Sequence, residues 1–253
     1  MELFNLAKLI LSDPKILFMN RNIFLLSHMR ANTSLLSHII GSHPEIDGYY
    51  ELHMGYSSWK SLWRQRLVYY TEHKRKPTAK FIFDKILHHD HYTNPAVLER
   101  ANSKVIFMLR EPERSIQSII HMFHETTPAL DAPKYYVNRL HDLEEIAKKL
   151  HGQYFYLDAS TIIHDTEQTL QTLSQWIGLE NQLNSEYEVF KKTGVERCGD
   201  TSENIKSGTI KKSAKDKYAN IVIDDDALKA ASEAYHQCRQ TLIEGSALRC
   251  ITD

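Results

Sequence analysis

The chain has 253 residues, with 31 Lys plus Arg against 32 Asp plus Glu and a formal net charge of −1. That balance excludes a general polyanion-binding surface, and with it nucleic acid as a partner, while leaving room for local attraction of phosphate. Hydrophobic residues make up 42% of the chain, enough for one substantial core over 1–253, and no stretch approaches the roughly 20 apolar residues that cross a bilayer.

The run 3–11 is apolar but short, is interrupted by Lys8 and has neither a basic leader nor a small-residue cleavage site, so it reads as a helix over 2–11 packed on the domain. Residues 23–26 form a continuous apolar run, the pattern of a buried parallel strand, within a strand over 22–27. Thr33 and Ser34 follow where helix-starting hydroxyls are favoured, and Leu35, Leu36, Ile39 and Ile40 repeat at helical spacing over 33–42 until Gly41 and Pro44. Helical segments fall within 54–75, and strands at 79–84 and 104–109. A helix over 112–124 starts at Pro112, a residue suited to a first helical turn. Pro128 and Pro133 bracket a turn before a helix over 134–150. A strand at 153–157, a helix over 165–178, a short helix near 184–191, a loop over 193–216 and a last helix over 225–244 complete the order. Strands alternating with helices imply a three-layer α/β/α fold in one domain, with a central parallel sheet and ligands bound at the strands' carboxyl ends.

Two segments at that edge are suited to phosphate. After the first strand comes Met29-Arg30-Ala31-Asn32-Thr33-Ser34, where free amides at a helix start, the helix dipole, hydroxyls and Arg30 would meet an anion. After the strand at 104–109 come Arg110-Glu111-Pro112, with Ser118 eight residues beyond Arg110 and nearly two turns along a helix, so that its hydroxyl turns back toward the strand end. A guanidinium there offers bidentate phosphate contacts that Lys lacks. Cys198, Cys238 and Cys250 are odd in number, far apart and without metal spacing, which suits a reducing, cytoplasmic setting. His88, His89, Asp90 and His91 raise the question of a metal, since His89 and His91 would share one strand face. No second group at a recognised spacing joins them, so the expectation is no metal and histidines that are hydrogen-bonded or face solvent near an acceptor pocket.

The first segment, with His43-Pro44-Glu45-Ile46 after it, resembles the 5′-phosphosulfate loop of sulfotransferases that use 3′-phosphoadenosine 5′-phosphosulfate (PAPS). The second is similar to that family's 3′-phosphate segment, which Arg110 and Ser118 match residue by residue. Two departures stand out: Ala31 replaces the usual Ser, and Asn32 the usual Gly, so the turn relies on the non-Gly residue that best tolerates left-handed geometry. Residues 154–157 and 169–179 look like the family's late strand and the helix ending in an aromatic-apolar-Gly-Leu turn. Loop 199–217, with Lys206 and Gly208, falls where members carry a segment that closes over the nucleotide, and a solvated basic loop reads equally well there.

The resemblance implies a P-loop-like sulfotransferase fold, closest to the carbohydrate and protein-tyrosine branches. It implies PAPS as cosubstrate, PAP as product and a hydroxyl acceptor, which the aromatic residues Tyr49, Tyr50, Tyr56, Trp59, Trp63, Tyr69 and Tyr70 could stack against as a carbohydrate or small metabolite. Arg30 would serve the leaving oxygen. Ala31, Asn32, Thr33 and Ser34 would hold the 5′ end, and Arg110 with Ser118 the 3′-phosphate. Two positions compete for the base: Glu51, 21 residues after Arg30, placed first and expected to gain from a pKa raised by partial burial, and His88, a few residues after Lys85. Lys85 would be a second cation on the sulfate. A non-catalytic nucleotide-binding protein of the same fold remains open because of Ala31 and Asn32. A kinase is disfavoured because the chain has no Gly-x-x-x-x-Gly-Lys-Ser/Thr loop.

Overall fold

The computed structural model describes residues 7–8, 10–18, 21–100, 103–123, 131–150, 152–193, 204–211, 218 and 220–252. Its centre is a six-stranded sheet of β1 (Arg21–Ser27), β2 (Ile46–Asp47), β3 (Phe81–Ile86), β4 (Lys104–Leu109), β5 (Tyr154–Asp158) and β6 (Leu248–Cys250). All pairings are parallel, in the order β2-β3-β1-β4-β5-β6. The helices are α1 (Thr33–Ser42), α2 (Trp59–Glu72), α3 (Pro95–Arg100), α4 (Pro112–Phe123), α5 (Ala132–Leu150), α6 (Thr161–His164), α7 (Thr166–Ile177) and α8 (Asp225–Gly245).

Side chains alternate across the sheet and so build two cores. Phe24, Leu26, Phe107 and Tyr156 pack under α4, α5 and α8, where they meet Ile116, Leu140, Leu143 and Leu242. On the other face, Ile23, Leu25, Ile106, Met108 and Phe155 pack under α1 and α7 against Leu36, Ile39 and Leu173. The layers are therefore helix, sheet, helix. After β1 the chain moves to β2 and β3 on one side, while β4 and β5 lie on the other. Adjacent β1 and β4 thus open a crevice at their carboxyl ends, the place where such sheets bind ligands.

Several elements differ from the sequence pattern. The strand expected at 79–84 runs Phe81–Ile86, because pairing of Leu25 with Lys85 and Leu26 with Ile86 carries it through two charged residues. Asp84 tolerates this because Tyr56 Oη and the Leu52 amide donate to it. Lys85 therefore lies inside a strand and not after one. The helix expected over 165–178 forms as Thr166–Ile177, and a further short helix, Thr161–His164, precedes it across a break at Asp165 (φ −130°). No helix forms near 184–191, where Glu186 instead bridges Thr209. β2, α3 and β6 have no counterpart in the sequence reading, β6 because an edge strand with an exposed Leu248 shows no apolar run.

The aromatic segment is mostly core: Tyr49, Tyr50, Tyr69 and Tyr70 pack with Ile16 and Ile82, and Tyr56 is fully buried, which leaves these five for packing and not for stacking on an acceptor. Trp59, at 59% exposure, and the half-buried Trp63 are the exceptions. Of the helix expected over 2–11, residues 7–8, 10 and 11 are helical, and the rest lie outside the described residues. So do Pro128, Cys198 and much of loop 199–217. No helix among the described residues is long and apolar enough to cross a membrane.

Candidate functional site

β1 hands the chain to a turn in which Arg30 (φ 64°) and Asn32 (φ 60°) are both left-handed. Asn32 thus does what Gly does elsewhere at such turns, as its residue type implied. It is the N-cap of α1, yet its side chain makes no capping bond, and the helix ladder begins with the Leu36 amide donating to the Asn32 carbonyl. The helix start therefore presents backbone N–H groups that its own cap does not use.

The loop after β4 is bound to this turn at three points. Arg110 Nη1 donates to the Arg30 carbonyl at 3.0 Å, and Arg30 Nε donates to Ser118 Oγ at 2.8 Å. Buried His28 supplies the third, donating from Nδ1 to the Met29 carbonyl (2.8 Å) and accepting the Arg110 amide at Nε2 (3.1 Å). These two bonds fix its tautomer. Burial, with smaller contributions from Arg110 and Arg139, pushes the imidazole down to about 3, so it stays neutral. Residues assigned to opposite ends of a nucleotide, Arg30 and Ser118, are in contact here.

β3 brings a second cation to the turn: Lys85, 2% exposed, donates from Nζ to Ser34 Oγ at 3.3 Å. Glu51 arrives from the loop after β2. Gly48 (φ +96°) turns that loop so tightly against β3 that a Cβ would lie 2.3 Å from the Phe83 carbonyl oxygen. Glu51 is 5% exposed and its Oε1 accepts the Leu87 amide at 3.2 Å. His91 Nδ1 lies 3.5 Å from Oε1, and His53 Nδ1 4.0 Å from Oε2. Burial raises the Glu51 pKa, but the bond to His91 and the fields of His88, Lys85 and His53 outweigh it, and the net shift is downward. Burial thus brings no net rise, and the imidazoles and lysine around the carboxyl keep it ionised. His88 shifts downward, chiefly through burial, and stays neutral near pH 7. The two base candidates thus belong to one cluster.

Helix α5 holds these loops in register. Tyr135 Oη accepts the Met29 amide (3.0 Å) and donates to the Leu87 carbonyl (2.7 Å). One turn on, buried Arg139 donates to the Ser27 and Ile86 carbonyls at 2.9 and 2.7 Å. Sequence reasoning placed His91 near the acceptor pocket but missed His28, His53, Tyr135 and Arg139 as members of this site. Only His53 had a readable signal, its place two residues after Glu51. Ala31 and Thr33 are buried in the turn. Lys206 lies on a short 3-10 turn (Ile205–Ser207) capped by Gly208, whose carbonyl accepts the Tyr187 amide. His89 is exposed and pairs with Asp90 at 3.3 Å.

No family model and no curated protein matches the chain. Among solved structures it is similar to the sulfotransferase domain from the curacin biosynthetic pathway, with a TM-score of 0.60 and 18% identity over 84% of this chain and 96% of that one. It is also similar to the sulfotransferase domain from the Synechococcus PCC 7002 olefin synthase, with a TM-score of 0.59 and 16% identity over 85% of this chain and 94% of that one.

Proposed function

We propose that this chain, which has the sulfotransferase fold, moves the sulfuryl group of PAPS to a hydroxyl of a carbohydrate or small metabolite. One observation carries this reading. At the carboxyl edge of the sheet Arg30 is bonded to Ser118 and to Arg110, Lys85 is bonded to Ser34 on the same turn as Arg30, and an ionised Glu51 is held next to β3. The turn fits a phosphate, because left-handed Arg30 and Asn32 leave the first amides of α1 outside any side-chain cap.

Thr33 and Ser34, with the main chain of Ala31 and Asn32, hold the 5′ end of the nucleotide, and Arg110 with Ser118 holds the 3′-phosphate. Lys206 and Gly208 belong to the segment that closes over it. PAPS supplies an activated sulfuryl group on a phosphate leaving group. Arg30 neutralises charge developing on the leaving oxygen, and Lys85 adds a second cation where Ser34 holds it. Glu51 takes the acceptor proton, and its ionised state at neutral pH suits that work. His88 is the second base candidate. Positioning by α5, through Tyr135 and Arg139, fixes these groups before substrate arrives. A cavity of about 170 Å³ shares His91 and Arg139 with the cluster, and its mixed polar and apolar walls, Tyr92 and Asp142 among them, offer room for a hydroxylated acceptor.

Thermal unfolding tests the nucleotide half: PAP at 100 times its dissociation constant adds about 2.7 kcal/mol of stability, and ATP at equal concentration adds less. Equal shifts from the two nucleotides overturn the reading. Sulfate transfer from labelled PAPS to a panel of sugar and metabolite hydroxyls tests the other half. Glu51→Gln abolishes it while leaving PAP affinity intact, and transfer that survives this substitution moves the base to His88. PAP binding with no transfer to any acceptor identifies a nucleotide-binding protein.

A further inference from the structure

We propose that Glu51, His53 and His91 form a site for a divalent transition metal ion of the zinc type, with His88 in reach as a fourth donor. One donor atom from each of the three lies within 4.8 Å of the others. Zinc at about 2.1 Å from tetrahedral donors sets them roughly 3.4 Å apart. His91 Nδ1 is 3.5 Å from Glu51 Oε1 and His53 Nδ1 is 4.0 Å from Oε2, so each imidazole already stands near that spacing from one oxygen of the carboxylate. Side-chain rotation of about an ångström closes the remainder, and the ring of His88 stands 5.8 Å from that of His91 and 6.5 Å from that of His53.

The donor set names the ion. Two imidazole nitrogens and one carboxylate oxygen suit zinc, cobalt or nickel, whereas calcium and magnesium need a cage of oxygens. The carboxylate is buried and oriented, since Oε1 accepts the Leu87 amide, and such outer bonds are what aim a metal ligand. His53 is held at φ 51°, a conformation that L residues seldom adopt, with its side chain 44% exposed. An ion therefore has an open approach from solvent to a buried carboxylate. The ligand pair suggested by the local run, His89 with His91, is replaced by ligands from two separate loops. The consequence for turnover rests on the transferase reading: an ion on Glu51 draws electron density from the carboxylate that would take the acceptor proton, so bound metal slows proton abstraction.

Calorimetric titration of zinc into the metal-free full chain, without nucleotide, tests the site, with cobalt as a spectroscopic probe of four-coordinate geometry. One equivalent binds, cobalt develops intense visible bands, and magnesium gives no heat. His53→Ala and His91→Ala each weaken zinc binding by about 10–100-fold or more. His53 is exposed enough that its variant keeps the fold, which circular dichroism checks. Zinc affinity unchanged in both variants, or none tighter than about 1 mM, overturns the proposal. Because PAP binding is read without metal and zinc binding without nucleotide, either reading can fail alone.

Discussion

A histidine enclosed by protein and flanked by arginines cannot take up a proton without losing its surroundings, and His28 is in that position. Its folded pKa is about 3 against an ordinary 6.5, so between those values the unfolded chain binds the extra proton. Stability from His28 is complete above pH 6.5 and is lost as pH falls toward 3, at up to about 1.4 kcal/mol per pH unit. Denaturant unfolding at stepped pH should show that slope, and His28→Asn should flatten it. Arg110→Ala should leave the Arg30 carbonyl without its donor and a bound phosphate without a charge-assisted partner, weakening PAP binding by about 2–3 kcal/mol. Calorimetry with PAP checks this, and an unchanged affinity removes Arg110 from the site. Arg30, Ser34, Arg110 and Ser118 were legible because residue type and spacing along the chain carry their chemistry. His28 was not, because nothing in its local sequence says that the Arg110 amide will meet its second nitrogen.

Between elements, the position of Glu51 depends on a turn made possible by one glycine. Gly48 has φ +96° and presses on the Phe83 carbonyl, so Gly48→Ala must strain both backbone and contact. Loss of more than about 1 kcal/mol is expected from the denaturation midpoint, together with displacement of Glu51. A variant as stable as the parent removes the turn from the argument. The same scale explains the shift of β3. Asp84 and Lys85 read as a strand end, since buried strands seldom carry charge, yet β3 continues because Tyr56 satisfies one residue and Ser34 the other. Local pattern reads propensity, and these partners come from residues 28 and 51 positions away.

At the scale of the molecule, the far end of the sheet is tied by Asp158. Arg239 of α8 donates to both its oxygens at 3.0 and 2.7 Å, and the Thr252 amide beyond β6 donates at 2.9 Å. Removing it leaves a guanidinium, an amide and the hydroxyl of Tyr156 without their acceptor. Asp158→Ala should therefore cost about 3 kcal/mol, near the lower end for a broken buried pair because Arg239 is partly exposed. Thermal melting checks it, and a loss under about 1 kcal/mol would show that β6 and α8 hold their places without this carboxylate.

Sequence alone determined the alternation of strands and helices, the α/β/α class and the two strand-to-helix turns after β1 and β4, because apolar runs, helical spacing and helix-starting hydroxyls act over a few residues. Tertiary structure decided that the loops after β2 and β3 converge, placing Glu51 beside His53, His88 and His91. It also decided that most of the aromatic segment is core. Parallel strands side by side bring their carboxyl ends together however far apart they lie in the chain, and that proximity is a property of the sheet which no local pattern contains.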